Sequence, residues 1–252
     1  MIRAFKLMLS FFTRFPINVE DFNFDTIAEH FYLVVIIGYI YGAISYFLSF
    51  LPLPPLLLSC IILFTIEFIN GFHHFDGLLD FGEGLMVIAD RKTKLKIMKD
   101  PYVGTFGLSF GVFYIITTVV SIYYILKINP LYLLAVEVLS KLSLLSCASF
   151  GNPLKEGTGK YFVKRADEKF LALALILSLP LLLIFDSTGR KAVSLAIIIS
   201  VLLGLFMAKL AKGQFGGVNG DVLGATNEVS RVINLIAILF FLLTLEHNLS
   251  SL

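Results

Sequence analysis

Charge is scarce in this chain: Asp, Glu, Lys and Arg make up 15% of its 252 residues, against 58% hydrophobic. A soluble domain carries about a quarter charged residues, so the scarcity excludes an ordinary water-facing surface. A net charge of +2 excludes a global field for nucleic acid. Cysteine is scarcer still. Cys60 and Cys147 lie far apart, each inside an apolar run, which excludes a disulfide or cysteine–metal framework and leaves two small buried hydrophobes. Nor is a secretory leader expected: Arg3 and Lys6 could head one, but Arg14 cuts the apolar run short. Residues 1–18 read instead as a basic, Phe-rich segment lying in a membrane interface.

What is present is a series of long uncharged runs. A helix crossing the hydrocarbon needs roughly 20 apolar residues. Windows at 31–50, 53–69, 108–126, 131–150, 170–185, 192–208 and 232–245 meet or approach that length. Pro52, Pro54 and Pro55 punctuate one tight connection, and Asn129-Pro130 another. The fold expected is all-α: one domain over 1–252, a polytopic bundle of about seven spans with active-site loops on the inner face.

Basic residues orient the bundle. With the N-terminus inside, the inner segments receive Arg3, Lys6, Arg14, the five cations between Arg91 and Lys99, and Lys155, Lys160, Lys164, Arg165 and Lys169. They also receive Lys209, Lys212 and Arg231. Lys127, Arg190 and Lys191 fall outside and Lys141 inside a span. This positive-inside asymmetry predicts a multi-pass protein of the cell membrane, with its N-terminus cytoplasmic and its C-terminus outside. The two segments richest in glycine and acid, 71–107 and 213–228, then share the cytoplasmic face.

The first of these carries the sharpest chemical signal. Asp76, Asp80 and Glu83 are spaced by four and then three residues, which stacks three carboxylates on one helical face. Their neighbours are apolar or glycine, poor material for a solvated face. A hard divalent cation such as Mg²⁺ or Mn²⁺ would relieve the repulsion. Downstream come the basic run, Asp100 and the glycines of 103–107, which suit a phosphorylated ligand. In the second segment, glycines between 213 and 220 permit close ligand approach, and Asp221 and Glu228, seven apart, share a face. The run from Lys155 to Lys160 has the glycines of a P-loop but lacks its spacing, its trailing Ser/Thr and its strand. Within the fourth window Glu137 precedes Lys141 by four residues, the favourable order for a helical pair. Such charges must face the bundle interior, and Glu67 falls near the inner boundary.

Together these motifs resemble the cobalamin synthase (adenosylcobinamide-GDP ribazoletransferase) family. Its G-F-H-x-D-G-L-x-D-x-x-D-G pattern is matched by Gly71, Phe72, His73, Asp76, Gly77, Leu78, Asp80 and Gly84. Its I-M-x-D-x-x-x-G-T-x-G is matched by Ile97, Met98, Asp100, Gly104, Thr105 and Gly107, and its G-G-x-T-G-D-x-L-G-A by Gly216, Gly217, Gly220, Asp221, Leu223, Gly224 and Ala225. The family's F-x-T-R-x-P and E-G-x-G are similar to the segments at 12–16 and 156–159. Glu83 stands for the usual Asp, Asn219 for Thr and Lys141 for Arg.

The resemblance implies a phosphoryl transfer: a ribazole hydroxyl attacks the cobinamide-side phosphorus of adenosylcobinamide-GDP, and GMP leaves. It implies Mg²⁺ on Asp76, Asp80 and Glu83, with Asp100 and Asp221 as further ligands or as base. Lys141, Lys155 and Lys160 would contact the diphosphate, and His73, Gly216, Gly217, Asn219 and Glu228 the substrates. The partners implied are a corrinoid nucleotide, ribazole or its phosphate, and the lipid bilayer, with room for a homo-oligomer or for other cobalamin-assembly enzymes. Two other readings compete. One is a phosphotransferase of the CDP-alcohol type, whose opening motif is missing. The other is a transporter using Glu67, Glu137 and Lys141, although most acids lie away from the midplane that transporters use.

Overall fold

The computed structural model describes residues 2–19 and 21–250, and side chains as far as Thr244. Backbone in lipid must satisfy its own hydrogen bonds, so the apolar runs become helices. In chain order these are α1 (Ile2–Phe12), α2 (Phe24–Ala28), α3 (Val34–Leu48), α4 (Pro55–Asn70), α5 (His73–Met86), α6 (Arg91–Ile97), α7 (Thr105–Ile128), α8 (Tyr132–Phe150), α9 (Gly159–Arg165), α10 (Glu168–Ser178), α11 (Ser187–Phe215) and α12 (Gly220–Ser250). Short 3-10 turns precede α3 and follow α10. The all-α expectation holds among the described residues, whose one β feature is an isolated bridge between Pro153 and Val218.

Five helical segments are long and apolar enough to cross a bilayer: 31–48, which takes in α3, then α7, α8, α11 and the first 25 residues of α12. α4 and α5 together pass the same test but are bent by 92°, as in a broken span or a re-entrant loop. Five or six crossings therefore qualify by length and composition, where seven were expected. The shortfall lies at 170–185. There α10 runs for only 11 residues before a 3-10 turn at Leu179–Leu183, opened by a proline that has no N–H for the ladder. The segments expected as loops are largely helical too. α5 and α6 fill most of 71–107, while 213–228 is the end of α11, a short turn and the start of α12.

Small residues set the packing. α8 is the central post, buried through most of its length and packed against α3, α10, α11 and α12. Without a hydrophobic force between helices in lipid, close backbone approach supplies the attraction. On α3, Gly38 and Gly42 form a G-x-x-x-G stripe: an added Cβ would stand 2.7 Å from the Val138 Cα and 2.6 Å from the Leu134 Cα. Gly204 of α11 presses in the same way on Ser143 and Ser146. On the outside of this bundle, α1 buries Ala4, Leu7, Met8 and Phe12 along one face, and the Tyr41 hydroxyl of α3 donates to the Phe12 carbonyl.

The bend between α4 and α5 is made by two consecutive left-handed residues, Gly71 (φ 70°) and Phe72 (φ 59°). Glycine adopts that conformation freely, whereas phenylalanine resists it. The turn closes with the Phe72 N–H donating to the Glu67 carbonyl at 2.8 Å, and the Arg14 N–H donates to Ile69 at 2.7 Å beside it. α5 then leaves its parent helix and lies against α7 and α12.

Replacing Gly42 with Val should wedge α3 from α8, at a cost of about 1–3 kcal/mol for overpacking. A lowered melting temperature in detergent would show it, and an unchanged one would contradict the contact.

Candidate active site

Three features converge where α5, α6, α11 and α12 meet the loop between α8 and α9. The first is a group of carboxylates. Gly77 of α5 touches α12 so closely that a Cβ there would stand 3.0 Å from the Asp221 Cα, and Gly224 touches His74 with the same clearance. These contacts bring Asp76 and Asp80, one turn apart, up to Asp221. The negative charges of Asp221, Asp76 and Glu83 all act on half-buried Asp80. Asp221 is oriented by Asn219, whose amide donates to its Oδ2 at 2.7 Å, while the Asn219 Oδ1 accepts the Val222 N–H at 3.0 Å. Asn219 is thus the N-cap of α12. Asn and Thr are both good N-cap residues, which gives the departure from the family's usual Thr a physical basis.

The second feature is a cavity of ≈ 300 Å³ that opens beside Asp76 and Asp221. Phe11, Phe12, Phe31 and Phe162 form its aromatic wall, and Asn70, His73, His74 and Thr158 supply its other polar groups. The third is a larger cleft of ≈ 860 Å³, lined by Lys92, Lys96, Lys99, Lys155, Glu156 and Asn219 among others. α6 is fastened over the end of α11 by Lys94 donating to Gln214 at 2.6 Å and Arg91 donating to the Gly213 carbonyl at 3.3 Å. Lys99 pairs with Glu156 at the cleft, and its ammonium holds the exposed Glu156 carboxyl below the usual range.

The far side of the cleft is a splice of two loops. The Leu154 N–H donates to the Val218 carbonyl at 3.1 Å and the Val218 N–H to the Asn152 carbonyl at 2.8 Å. A Cβ on Gly217 would stand 2.5 Å from that Asn152 oxygen, and Gly159 lies directly against Gly220.

The expected site residues divide accordingly. Asp76, Asp80 and Asp221 come together; His73 lines the cavity; Lys155, Gly216 and Asn219 line the cleft. Gly217 belongs to the splice. Glu83 faces the start of α7, where its Oε1 accepts the Gly107 N–H at 2.7 Å and caps that helix. Asp100 is exposed and accepts the Tyr102 N–H at 3.0 Å. Lys160 lies over the Tyr161 ring, 5.2 Å from its centre. Among the described residues no three His, Cys, Asp or Glu side chains converge closely enough to hold a metal ion. In donor chemistry, the Asp76, Asp80 and Asp221 set still suits a hard divalent cation, since crowded carboxylates with no cation among them repel one another.

Lys141 and Glu228 lie in neither space. They belong to a buried network behind the site, centred on Arg231. The guanidinium binds both oxygens of Glu137 (2.7 and 3.1 Å) and Oε1 of Glu67 (2.6 Å), and also meets Glu228 and the Tyr114 hydroxyl. Lys141 donates to Asn227 at 2.7 Å and lies 4.8 Å from the Tyr41 ring centre. The Glu137–Lys141 pair expected within one helix is therefore not formed, because a planar guanidinium engages a carboxylate through two parallel bonds where an ammonium offers one. Arg231, counted among inner-face cations by sequence, is 1% exposed. Its spacing of three from Glu228 in an apolar helix was the available signal. His74, passed over for His73, is buried with its Nδ1 3.7 Å from the Glu228 Oε1.

The family profile described as Cobalamin-5-phosphate synthase matches residues 4–239. The chain belongs to that family. Adenosylcobinamide-GDP ribazoletransferase of Thermococcus onnurineus is 30% identical over 93% of this chain and 97% of its own length. The proteins of the same description from Pyrococcus abyssi (29%, 93% and 97%) and Methanosarcina barkeri (30%, 97% and 94%) are similar to comparable extents. No solved structure matches.

Substituting Arg231 with Met would leave Glu67, Glu137 and Glu228 facing one another, a loss of about 3–5 kcal/mol. Arg231→Lys should recover only part of it. Thermal unfolding of the solubilised protein measures both, and a wild-type melting temperature in the Met variant would refute the network's structural role.

Proposed function

We propose that this chain performs the reaction for which its relatives are named. It is an enzyme of cobalamin biosynthesis, an adenosylcobinamide-GDP ribazoletransferase. A ribazole hydroxyl oxygen bonds to the cobinamide-side phosphorus, the bond from that phosphorus to the bridging oxygen breaks, and GMP departs with that oxygen. The observation that supports the mechanism is the meeting of α5 and α12, where Asp76 and Asp80 approach Asp221 beside an aromatic cavity, two residues from Asn219 at the edge of a lysine cleft.

Asp76, Asp80 and Asp221, drawn closer together than they stand here, would hold a divalent cation, which when bound supplies positive charge to the diphosphate. Asn219 keeps Asp221 turned toward α5. Lys92, Lys96, Lys99 and Lys155 offer ammonium donors to phosphate oxygens, which bear most of the charge in a loose phosphoryl-transfer transition state. Lys99 would exchange Glu156 for phosphate as substrate arrives. Glu83 positions the start of α7 rather than the substrate.

We also place this rim on the cytoplasmic side of a multi-pass membrane protein. The basic residues favour that side, and phosphorylated substrates are water-soluble. α8 and α11 both end at the rim, and α10 begins near it. To reach the start of α11, a 29-residue helix away, the chain must traverse the bundle, so α10 with its 3-10 turn completes a seventh crossing.

Purified protein with Mg²⁺, adenosylcobinamide-GDP and ribazole should yield cobalamin and GMP, and chelation of the metal should stop it. Asp76→Asn or Asp80→Asn should lower turnover by about 10³-fold, the scale of losing transition-state electrostatics, with unfolding temperature unchanged. Full activity in either variant would remove the carboxylate assignment; product from a CDP-alcohol lipid instead would reassign the enzyme.

A further inference from the structure

The reaction joins two substrates of unlike size and charge, and the rim offers two spaces just as unlike. The two meet at one place. Asn219 lines the cleft while Gly220 and Asp221 line the cavity, so the first residues of α12 stand between them. In-line displacement at phosphorus needs the entering oxygen and the leaving oxygen on opposite sides of the reacting atom. A phosphorus held beside Asp221 would lie next to the cavity and two residues from Asn219 at the edge of the cleft.

Chemistry assigns the sides. At ≈ 300 Å³ the cavity is at the small end of ligand pockets. It suits a bicyclic aromatic base carrying one sugar, and excludes a corrin macrocycle. Phe31 and Phe162, with ring centres 4.6 Å apart, and Phe12, stacked on Phe31 at 6.2 Å, present an apolar aromatic wall against which such a base packs. The cavity also contains an unanswered donor. Asn70 is 2% exposed, lines the cavity, and its Nδ2 has no hydrogen-bond partner among the described residues. A buried amide donor is normally satisfied, so a ligand acceptor is what this one lacks. The cleft offers the opposite character: four lysines, no aromatic wall, and nearly three times the volume.

We infer that the aromatic cavity binds the base and sugar of the acceptor, with Asn70 donating to one of its ring or sugar acceptors, and that the lysine cleft receives the departing nucleoside monophosphate half of the donor. The corrinoid remains outside both, at the open rim. This assignment rests on the reaction proposed above and adds which substrate occupies which space. It also gives each space its own inhibitor: the cleft takes GMP, and the cavity takes a free benzimidazole nucleoside.

Steady-state kinetics of the full-length enzyme, with each substrate varied in turn, test it. Asn70→Ala should raise KM for ribazole about tenfold, the worth of one buried hydrogen bond. KM for adenosylcobinamide-GDP and inhibition by GMP should stay unchanged. Because the amide lacks a protein partner, the same variant should melt no lower than wild type, which a structural role for Asn70 would not allow. Phe11→Leu, at the half-buried edge of the wall, gives a second reading of the ribazole KM. Lys96→Gln combined with Lys155→Gln should do the reverse, raising KM for the donor and weakening GMP inhibition about tenfold or more, with ribazole KM unmoved. If the lysine variant shifts ribazole, if Asn70→Ala shifts GMP inhibition, or if neither moves its own substrate, the assignment is overturned. A wild-type enzyme that makes no cobalamin from these substrates would instead overturn the reaction itself.

Discussion

A single guanidinium in a medium that cannot hydrate it constrains most of this structure. Arg231 can lie in the bundle only if carboxylates meet it, and the three that do so come from three different helices. Glu67 is near the end of α4, Glu137 in the middle of α8, and Glu228 one turn before Arg231 on α12; Tyr114 adds α7. Once those bonds are made, the relative depth of four helices is fixed, because sliding any one of them would strand a charge in a low dielectric. Glu67 also lies in the last turn before the bend into α5. The network that holds the bundle thereby sets where α5 emerges and where α12 begins, and those two helices carry the aspartates.

Between that anchor and the chemistry, glycines transmit position. Gly77 and Gly224 let α5 and α12 touch along their backbones, and Gly217 with Gly159 lets the loop after α8 lie against the start of α12. Caps refine what the contacts set: Asn219 starts α12 and turns Asp221, and Glu83 starts α7 from across the interface. The resulting site is made of helix ends and helix faces, which gives it more rigidity than a site carried on free loops.

Residue spacing revealed much of this and concealed a definite part. The all-helical class, the main long apolar segments and the choice of Asp76, Asp80 and Asp221 as candidate site residues follow from apolar run length, from a carboxylate period of four, and from glycine-flanked acid. Three things were hidden, each because a neighbour in space outweighed a neighbour in sequence. Glu137 and Lys141 have ideal helical spacing, yet Arg231 from another helix takes the glutamate. Glu83 shares a face with Asp76 and Asp80, yet a helix N-terminus lies within its reach. The glycines of 71–107 suggested loops, yet Gly77, Gly82 and Gly84 are points where other segments press against α5. The α10 segment failed as a simple span because Pro180 forces a tighter turn at its centre.

The position of Arg231 along the chain has a consequence for how the protein is made. Glu67, Tyr114 and Glu137 enter the membrane on α4, α7 and α8, well before the last described helix brings the cation they require. Until α12 inserts, those groups have no guanidinium to answer them, and the same step delivers Asp221. An enzyme built this way acquires its durable packing and its reactive centre together, so a partly inserted chain carries neither.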